Sequence, residues 1–182
     1  MRPVILIVLA LFCAAPAFAQ APAPTAAAAQ AYLANNAKQP GVMVRPSGLQ
    51  TRILRNGTGR RIAPGNGVQV YYTAKLINGT LIDGTTPGLP APIEPAMTLK
   101  GLGEALSLMR EGDRWEVTLP PILAFGAKGG GNGAIPPDQA IVFDLTVASV
   151  TATPVAAAGG SSNSFGFTSN NGQSRAYWVI RP

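Results

Sequence analysis

Few residues in this sequence are equipped for covalent or acid–base chemistry. Its 182 residues include no histidine, which excludes His-dependent triads, imidazole proton shuttles and any metal site that needs imidazole. The one cysteine, Cys13, lies in an apolar leader-like stretch, so the remainder has neither disulfide nor thiolate chemistry. The eight carboxylates are Asp83, Glu94, Glu104, Glu111, Asp113, Glu116, Asp138 and Asp144, and no pair stands in acid/base or metal-binding spacing. Most are expected as solvated surface or turn residues, with no metal and no cofactor. The run from Gly129 to Gly133 lacks the Lys-Ser/Thr and following helix of a phosphate loop and reads as a flexible flap. Arg45, Arg52, Arg55, Arg60 and Arg61 all precede the first acid, Asp83, and invite a nucleic-acid reading. Export argues against it, since a basic face outside the cytoplasm meets anionic lipid or stays hydrated. What remains is an apolar set of aromatics and branched aliphatics, with one buried-looking acid, Asp83, directly after Ile82. By periodicity alone that set is core.

The elements that must position these residues are short. Residues 49–54 read as a strand, and Asn56-Gly57-Thr58-Gly59 as a turn. Val68, Val70, Tyr72, Ala74 and Leu76 alternate onto one face of a second strand, and Asn78-Gly79 then signals a hairpin returning through residues 80–83. Both Asn-Gly-Thr triplets also match a glycosylation pattern, but they are turn signals first. Residues 87–95 form a loop with four prolines. Leu99, Leu102, Leu106 and Met109 recur at helical spacing, predicting one short amphipathic helix stopped at Gly112. Trp115, Val117 and Leu119 alternate in a strand ending at Pro120-Pro121, and residues 140–150 carry the strongest strand signal. Several antiparallel strands and a single helix make an α+β fold.

Composition sets the ends apart. Glycine and proline are about a fifth of the chain, above the ~12% of average chains but short of low-complexity sequence. Arg2, the apolar run VILIVLALF and Ala17-Phe18-Ala19 read as a signal peptide over residues 1–19. The run is far short of the ~20 residues that span a bilayer, so no stable membrane anchor is expected after cleavage. Residues 20–42 read as an Ala/Pro-rich linker with one helical turn at 32–38. Residues 43–150 form the folded domain, and residues 151–182 a low-complexity tail.

Four blocks of residues 43–150 together resemble the FKBP-type peptidyl-prolyl cis/trans isomerases of exported bacterial type. Pro46-Ser47-Gly48-Leu49-Gln50 with Asn56-Gly57-Thr58-Gly59 is similar to their entry strand. Val70-Tyr71-Tyr72-Thr73 through Asn78-Gly79-Thr80 to Asp83 is similar to the signature hairpin. Phe125-Gly126 with Ile135-Pro136-Pro137, and then Ile141-Val142-Phe143-Asp144-Leu145, are similar to the second signature. The resemblance implies a bent antiparallel sheet wrapped around one short helix. It also implies an apolar proline-binding basin, with Tyr72, Asp83, Phe125 and Phe143 as its working residues and Ile82, Thr98, Leu99, Leu102 and Ile135 binding substrate. Asp83 is expected to hydrogen-bond at the basin edge to Tyr72. The chain departs from the family pattern in three places: Leu102 stands where the floor is usually tryptophan, Phe125 where the flap carries a tyrosine, and Ile82 where phenylalanine is usual. Residues 89–96 align poorly and contribute no wall residue. The helical dimerisation arm of some exported relatives has no room in residues 20–42.

The implied partners are proline-containing polypeptides met in the periplasm, with weakened macrolide binding and no nucleic acid. An FKBP-fold chaperone or envelope scaffold with little or no isomerase activity is the alternative. The segment from Thr151 to Asn171 has too few apolar residues to offset the entropy of ordering it. Truncation after Val150 is therefore expected to leave stability to denaturant nearly unchanged, and a large loss of unfolding free energy shows instead that Tyr177–Ile180 docks on the sheet.

Overall fold

A computed structural model describes residues 24–151, so the expected signal peptide and nearly all of the tail lie outside the described residues. Seven strands form one antiparallel sheet: β1 (Val42–Val44), β2 (Gln50–Arg55), β3 (Gly67–Leu76), β4 (Leu81–Gly84), β5 (Ala91–Ile93), β6 (Arg114–Leu119) and β7 (Ile141–Thr151). Their order is β1-β2-β6-β7-β3-β4, with β5 pairing the first half of β3. Among the described residues two α-helices accompany the sheet, α1 (Ala26–Asn36) and α2 (Lys100–Leu108).

The alternation read from the sequence sorts the two faces. Thr51, Val117, Phe143 and Ala74 are cross-strand neighbours in one row, and Trp115, Leu145 and Tyr72 in the next. This inner face is apolar and buried, and Leu102, Ala105, Leu106 and Met109 of the α2 region join it in a single core. Each fully buried Leu or Met contributes ~1.5–3 kcal/mol of transfer free energy. The outer face carries the alternate residues, including two ion pairs, Arg52–Glu116 at 2.9 Å and Arg114–Asp144 at 2.6 Å.

The structure departs from the sequence reading in several places. The stretch expected as a tether contains an eleven-residue helix, α1, where one turn was expected, so the single-helix architecture gains a second. Alanine has the highest intrinsic helix propensity, and the Thr25 hydroxyl accepts the Ala28 N–H at 3.2 Å as an N-cap. Docking then holds α1: Asn36 Nδ2 donates to Gln50 Oε1 at 2.8 Å, and Gln50 Nε2 donates to the Leu33 carbonyl at 2.9 Å. The proline loop contains β5, with Pro92 opposite Gln69 on a strand whose missing donor an edge tolerates. β1 was not anticipated, being only three residues long. Helix α2 ends at Leu108, because Met109 is already extended; Gly112, at φ +90°, instead turns the chain into β6. The last strand runs to Thr151, one residue beyond the expected strand, and the Thr151 hydroxyl donates to the Gly67 carbonyl at 2.9 Å.

Tyr32 on α1 is half-buried on the outer face. Burial and, secondarily, the Glu116 carboxylate raise its pKa above the ordinary 10.0, while a hydrogen bond with Thr118 and the charge of Arg52 oppose the rise. The neutral phenol is thus favoured in the folded state. Its contribution to stability is fully present below the unfolded pKa and is lost as pH rises through the folded one. Urea unfolding between about pH 9 and pH 11 is expected to show an alkaline loss of stability that Tyr32→Phe reduces.

Candidate functional site

The site grows from the middle of β3. Alternation puts Tyr72 on the inner face and Tyr71 on the outer one. The neighbouring strand β7 delivers Phe143, and the two rings lie 6.2 Å apart at 45°, within the range of favourable tilted aromatic pairs. The β3–β4 hairpin returns Asp83 opposite Ala74, with a register shift between Ala74 and Lys75. Asp83 is only 5% exposed. Its Oδ2 accepts the Tyr72 hydroxyl at 2.6 Å and its Oδ1 accepts the Gly84 N–H at 2.8 Å, so the expected bond is present and the acid is held as an acceptor.

Two further segments close the site. The turn before α2 places half-buried Thr98 immediately ahead of Leu99, and the first turns of α2 bury Leu99 and Leu102 in the common core. After β6, Phe125 packs partly buried against that core, as do Tyr72 and Ile82. The glycine-rich stretch is more ordered than a loose flap. Short 3₁₀ turns occupy Gly126–Lys128 and Gly131–Gly133, and an isolated bridge joins Gly130 to Ile135 through N–H···O bonds of 2.9 and 3.0 Å. Ile135 is thereby buried in the core. Leu99, Leu102, Ile135 and Phe143 are almost wholly withdrawn from solvent, so the solvent-reachable side chains of this set are the partly exposed Tyr72, Ile82, Thr98 and Phe125.

Two contributors were not singled out from the sequence. Thr85 Oγ1 accepts the Tyr72 N–H at 3.1 Å and donates to the Tyr72 carbonyl at 3.3 Å, tying the chain after β4 to the tyrosine's own backbone. Gly130 lies against the Phe125 ring, where a Cβ would collide with the ring carbons. A lone threonine and one glycine among many carry no pattern that marks such contacts. Asp113, at the turn after α2, is 4% exposed, and its carboxylate accepts the backbone N–H groups of Gly57 and Arg110. Among the described residues no group of three or more Cys, Asp or Glu is placed to hold a metal. No described helix is long and apolar enough to cross a membrane.

A family model described as FKBP-type peptidyl-prolyl cis-trans isomerase matches residues 58–148, and one for the domain amino-terminal to such isomerases matches residues 14–53. The chain is 40% identical over 121 residues to the outer membrane protein MIP of Legionella longbeachae, covering 66% of this chain and 52% of that protein. It is 43% identical over 115 residues to the FKBP-type 22 kDa peptidyl-prolyl cis-trans isomerase of Escherichia coli K12, covering 63% and 55% respectively. The chain thus spans about half the length of these curated relatives. Among solved structures, FkpA from Escherichia coli is similar at a TM-score of 0.65 and 29% identity, over 69% of this chain and 58% of that one. A peptidyl-prolyl cis-trans isomerase from Pseudomonas syringae pv. tomato is similar at 0.64 and 30% identity, over 72% and 99%.

The Tyr72–Asp83 bond sets a measurable cost. Tyr72→Phe removes a donor from a buried carboxylate and is expected to lower unfolding free energy by about 1–3 kcal/mol. Tyr71→Phe, on the outer face, is expected to cost nothing comparable. Equal urea midpoints for the two variants contradict the assignment of the bond.

Proposed function

The chain belongs to the FKBP-type peptidyl-prolyl cis-trans isomerase family, and from that premise we infer that it is an isomerase acting on proline-containing polypeptides through the basin at Tyr72, Asp83, Phe125 and Phe143. The observation that carries this reading is the Tyr72–Asp83–Phe143 arrangement, in which the acid beside the apolar side chains already has a donor on each carboxylate oxygen. Rotating an X-Pro amide meets a barrier of ~18–20 kcal/mol because twisting destroys amide resonance. Neither nucleophile nor metal is required. An apolar, water-poor surface favours the less polar twisted amide over the planar one, and each ~1.4 kcal/mol of that preference is tenfold in rate. Tyr72, Ile82 and Phe125 offer the proline ring its partly exposed contacts, while Leu102, Ile135 and Phe143 support them from beneath.

The biological setting follows the same reading. The N-terminal apolar run followed by Ala17-Phe18-Ala19 supports export to the periplasm, where slow X-Pro steps of envelope or secreted proteins last tens of seconds uncatalysed. A second reading, chaperone binding of apolar segments, is favoured by Leu89, Met97 and Ile122, which are 52%, 39% and 79% exposed on segments near basin residues.

Where the flap usually carries a tyrosine, Phe125 keeps the ring and lacks the hydroxyl. Leu102, 2% exposed, supplies no flat aromatic floor. Such a hydroxyl contributes about 0.5–1.5 kcal/mol net, up to roughly tenfold in rate. The expected result, measured by NMR exchange on an apolar-Pro peptide, is slow but definite catalysis and poor macrolide inhibition. Phe125→Tyr is expected to raise the rate up to about tenfold. Leu102→Trp together with Phe125→Tyr raises it further, along with macrolide affinity, provided the indole fits without overpacking α2. If the parent and the folded double variant are both inactive, the isomerase reading is wrong and the chaperone reading takes its place.

A further inference from the structure

The arginines concentrated in the first half of the sequence take no part in the basin. Two backbone pairings set like charges side by side: Arg55 lies opposite Arg114 across β2–β6, and Arg61 lies opposite Arg110 in an isolated bridge. Like charges directly opposite one another destabilise a strand pair, so this arrangement breaks a local rule. Arg114 is compensated by Asp144, whose two oxygens accept from its Nε at 2.9 Å and Nη2 at 2.6 Å. Arg55, Arg60, Arg61 and Arg110 have no ion pair among the described residues. The nearby acids are committed elsewhere. Asp113 accepts from backbone N–H groups, and Glu111 Oε2 accepts the Val150 N–H at 3.3 Å. Both acids keep their negative charge, and the five arginines at this end, Arg55, Arg60, Arg61, Arg110 and Arg114, outnumber the three carboxylates beside them, Glu111, Asp113 and Asp144.

The cluster is held in place. Gly59 N–H donates to the Glu111 carbonyl at 3.1 Å, Glu111 N–H to the Arg60 carbonyl at 2.9 Å, and Gly112 N–H to the Val147 carbonyl at 2.9 Å. Arg55 Nε donates to the Gly112 carbonyl at 3.1 Å, anchoring the guanidinium near its stem. Beside it β2 shifts register between Ile53 and Arg55, and Ile53 and Leu54 are 37% and 44% exposed. Arginine's planar fork suits phosphate oxygens. Exposed aliphatics alongside it suit an interface with acyl chains, whereas single-stranded nucleic acid calls for aromatic stacking platforms, and none of these residues is aromatic. Arg110 follows the C-terminal end of α2, while Leu99 and Leu102 mark its other end, so the cluster and the basin lie at opposite ends of that helix.

We propose that Arg55, Arg60, Arg61 and Arg110 dock the domain on an anionic phospholipid surface, with Ile53 and Leu54 entering the headgroup boundary and the basin facing away. The proposal is independent of isomerase activity. The test is flotation of the full chain with phosphatidylcholine vesicles containing about one-third phosphatidylglycerol, set against pure phosphatidylcholine. Binding to the anionic vesicles alone is expected, with release as ionic strength rises toward ~0.5 M. Combining Arg55→Gln, Arg60→Gln and Arg61→Gln is expected to weaken binding by on the order of 100-fold, about fivefold per arginine. Lys38→Gln, Lys75→Gln and Lys128→Gln together change net charge equally and are expected to leave binding near the parent's. If the triple arginine variant does not fold, Arg61→Gln alone is expected to show the fivefold loss. Equal weakening by both triple sets, equal binding to neutral vesicles, or preference for a single-stranded oligonucleotide over vesicles each overturns the proposal.

Discussion

Burying the Asp83 carboxylate is the constraint from which the site follows. A carboxylate removed from water costs several kcal/mol unless donors replace its hydration. Two of those donors are the adjacent Gly84 N–H, which is local to the acid, and the Tyr72 hydroxyl, which reaches it only if β3 and β4 keep their register. A one-residue slip would send Tyr72 to the outer face and leave the acid unmatched. The hairpin, the inward tyrosine and its tilted contact with Phe143 are therefore one cooperative arrangement. Thr85 extends it by tying the chain after β4 to both backbone groups of Tyr72.

The same constraint explains how an acid can stand next to an apolar surface. With its oxygens already engaged, Asp83 has less need of water, and the surrounding Tyr72, Ile82 and Phe125 are packed against core side chains. Ordering of the Gly126–Gly133 stretch works in the same direction. Its bridge to Ile135 draws that side chain into the core and lays Gly130 against the Phe125 ring. The ring is held between core and backbone instead of depending on a mobile loop. Pre-organisation of this kind reduces the ordering entropy that binding any ligand there must offset.

Period-two alternation made the long central strands legible, because a sheet with one buried face writes its register into the sequence. Residues 68–76 and 140–150 are the clearest cases, and their bounds differ from β3 and β7 by a residue. The leucine and methionine spacing likewise announced α2. Elements without such a pattern were not visible. α1 has alanine on nearly every side and so no apolar stripe; its place is set by Gln50, a residue read only as part of a strand. β1 and β5 are three residues each, too short for alternation, and exist because longer strands template them. The Tyr72–Asp83 bond could be anticipated from the hairpin pattern. The contacts of Thr85 and Gly130 could not, since they depend on loop closure.

Acid placement separates the two ends of the molecule. The sequence has 14 basic residues and 8 acids, and several of the acids accept from backbone donors instead of pairing with cations. Asp83 holds the β3–β4 hairpin, Asp113 ties the Gly57 loop to the turn after α2, and Glu111 caps the end of β7. Each bond of this type is charge-assisted and stabilises a turn that a neutral side chain would hold less firmly. The consequence is electrostatic asymmetry. Using acids to close turns leaves Arg55, Arg60, Arg61 and Arg110 without an ion pair among the described residues, so the interactions that hold these turns also gather more arginines than carboxylates at the end of α2 away from the basin.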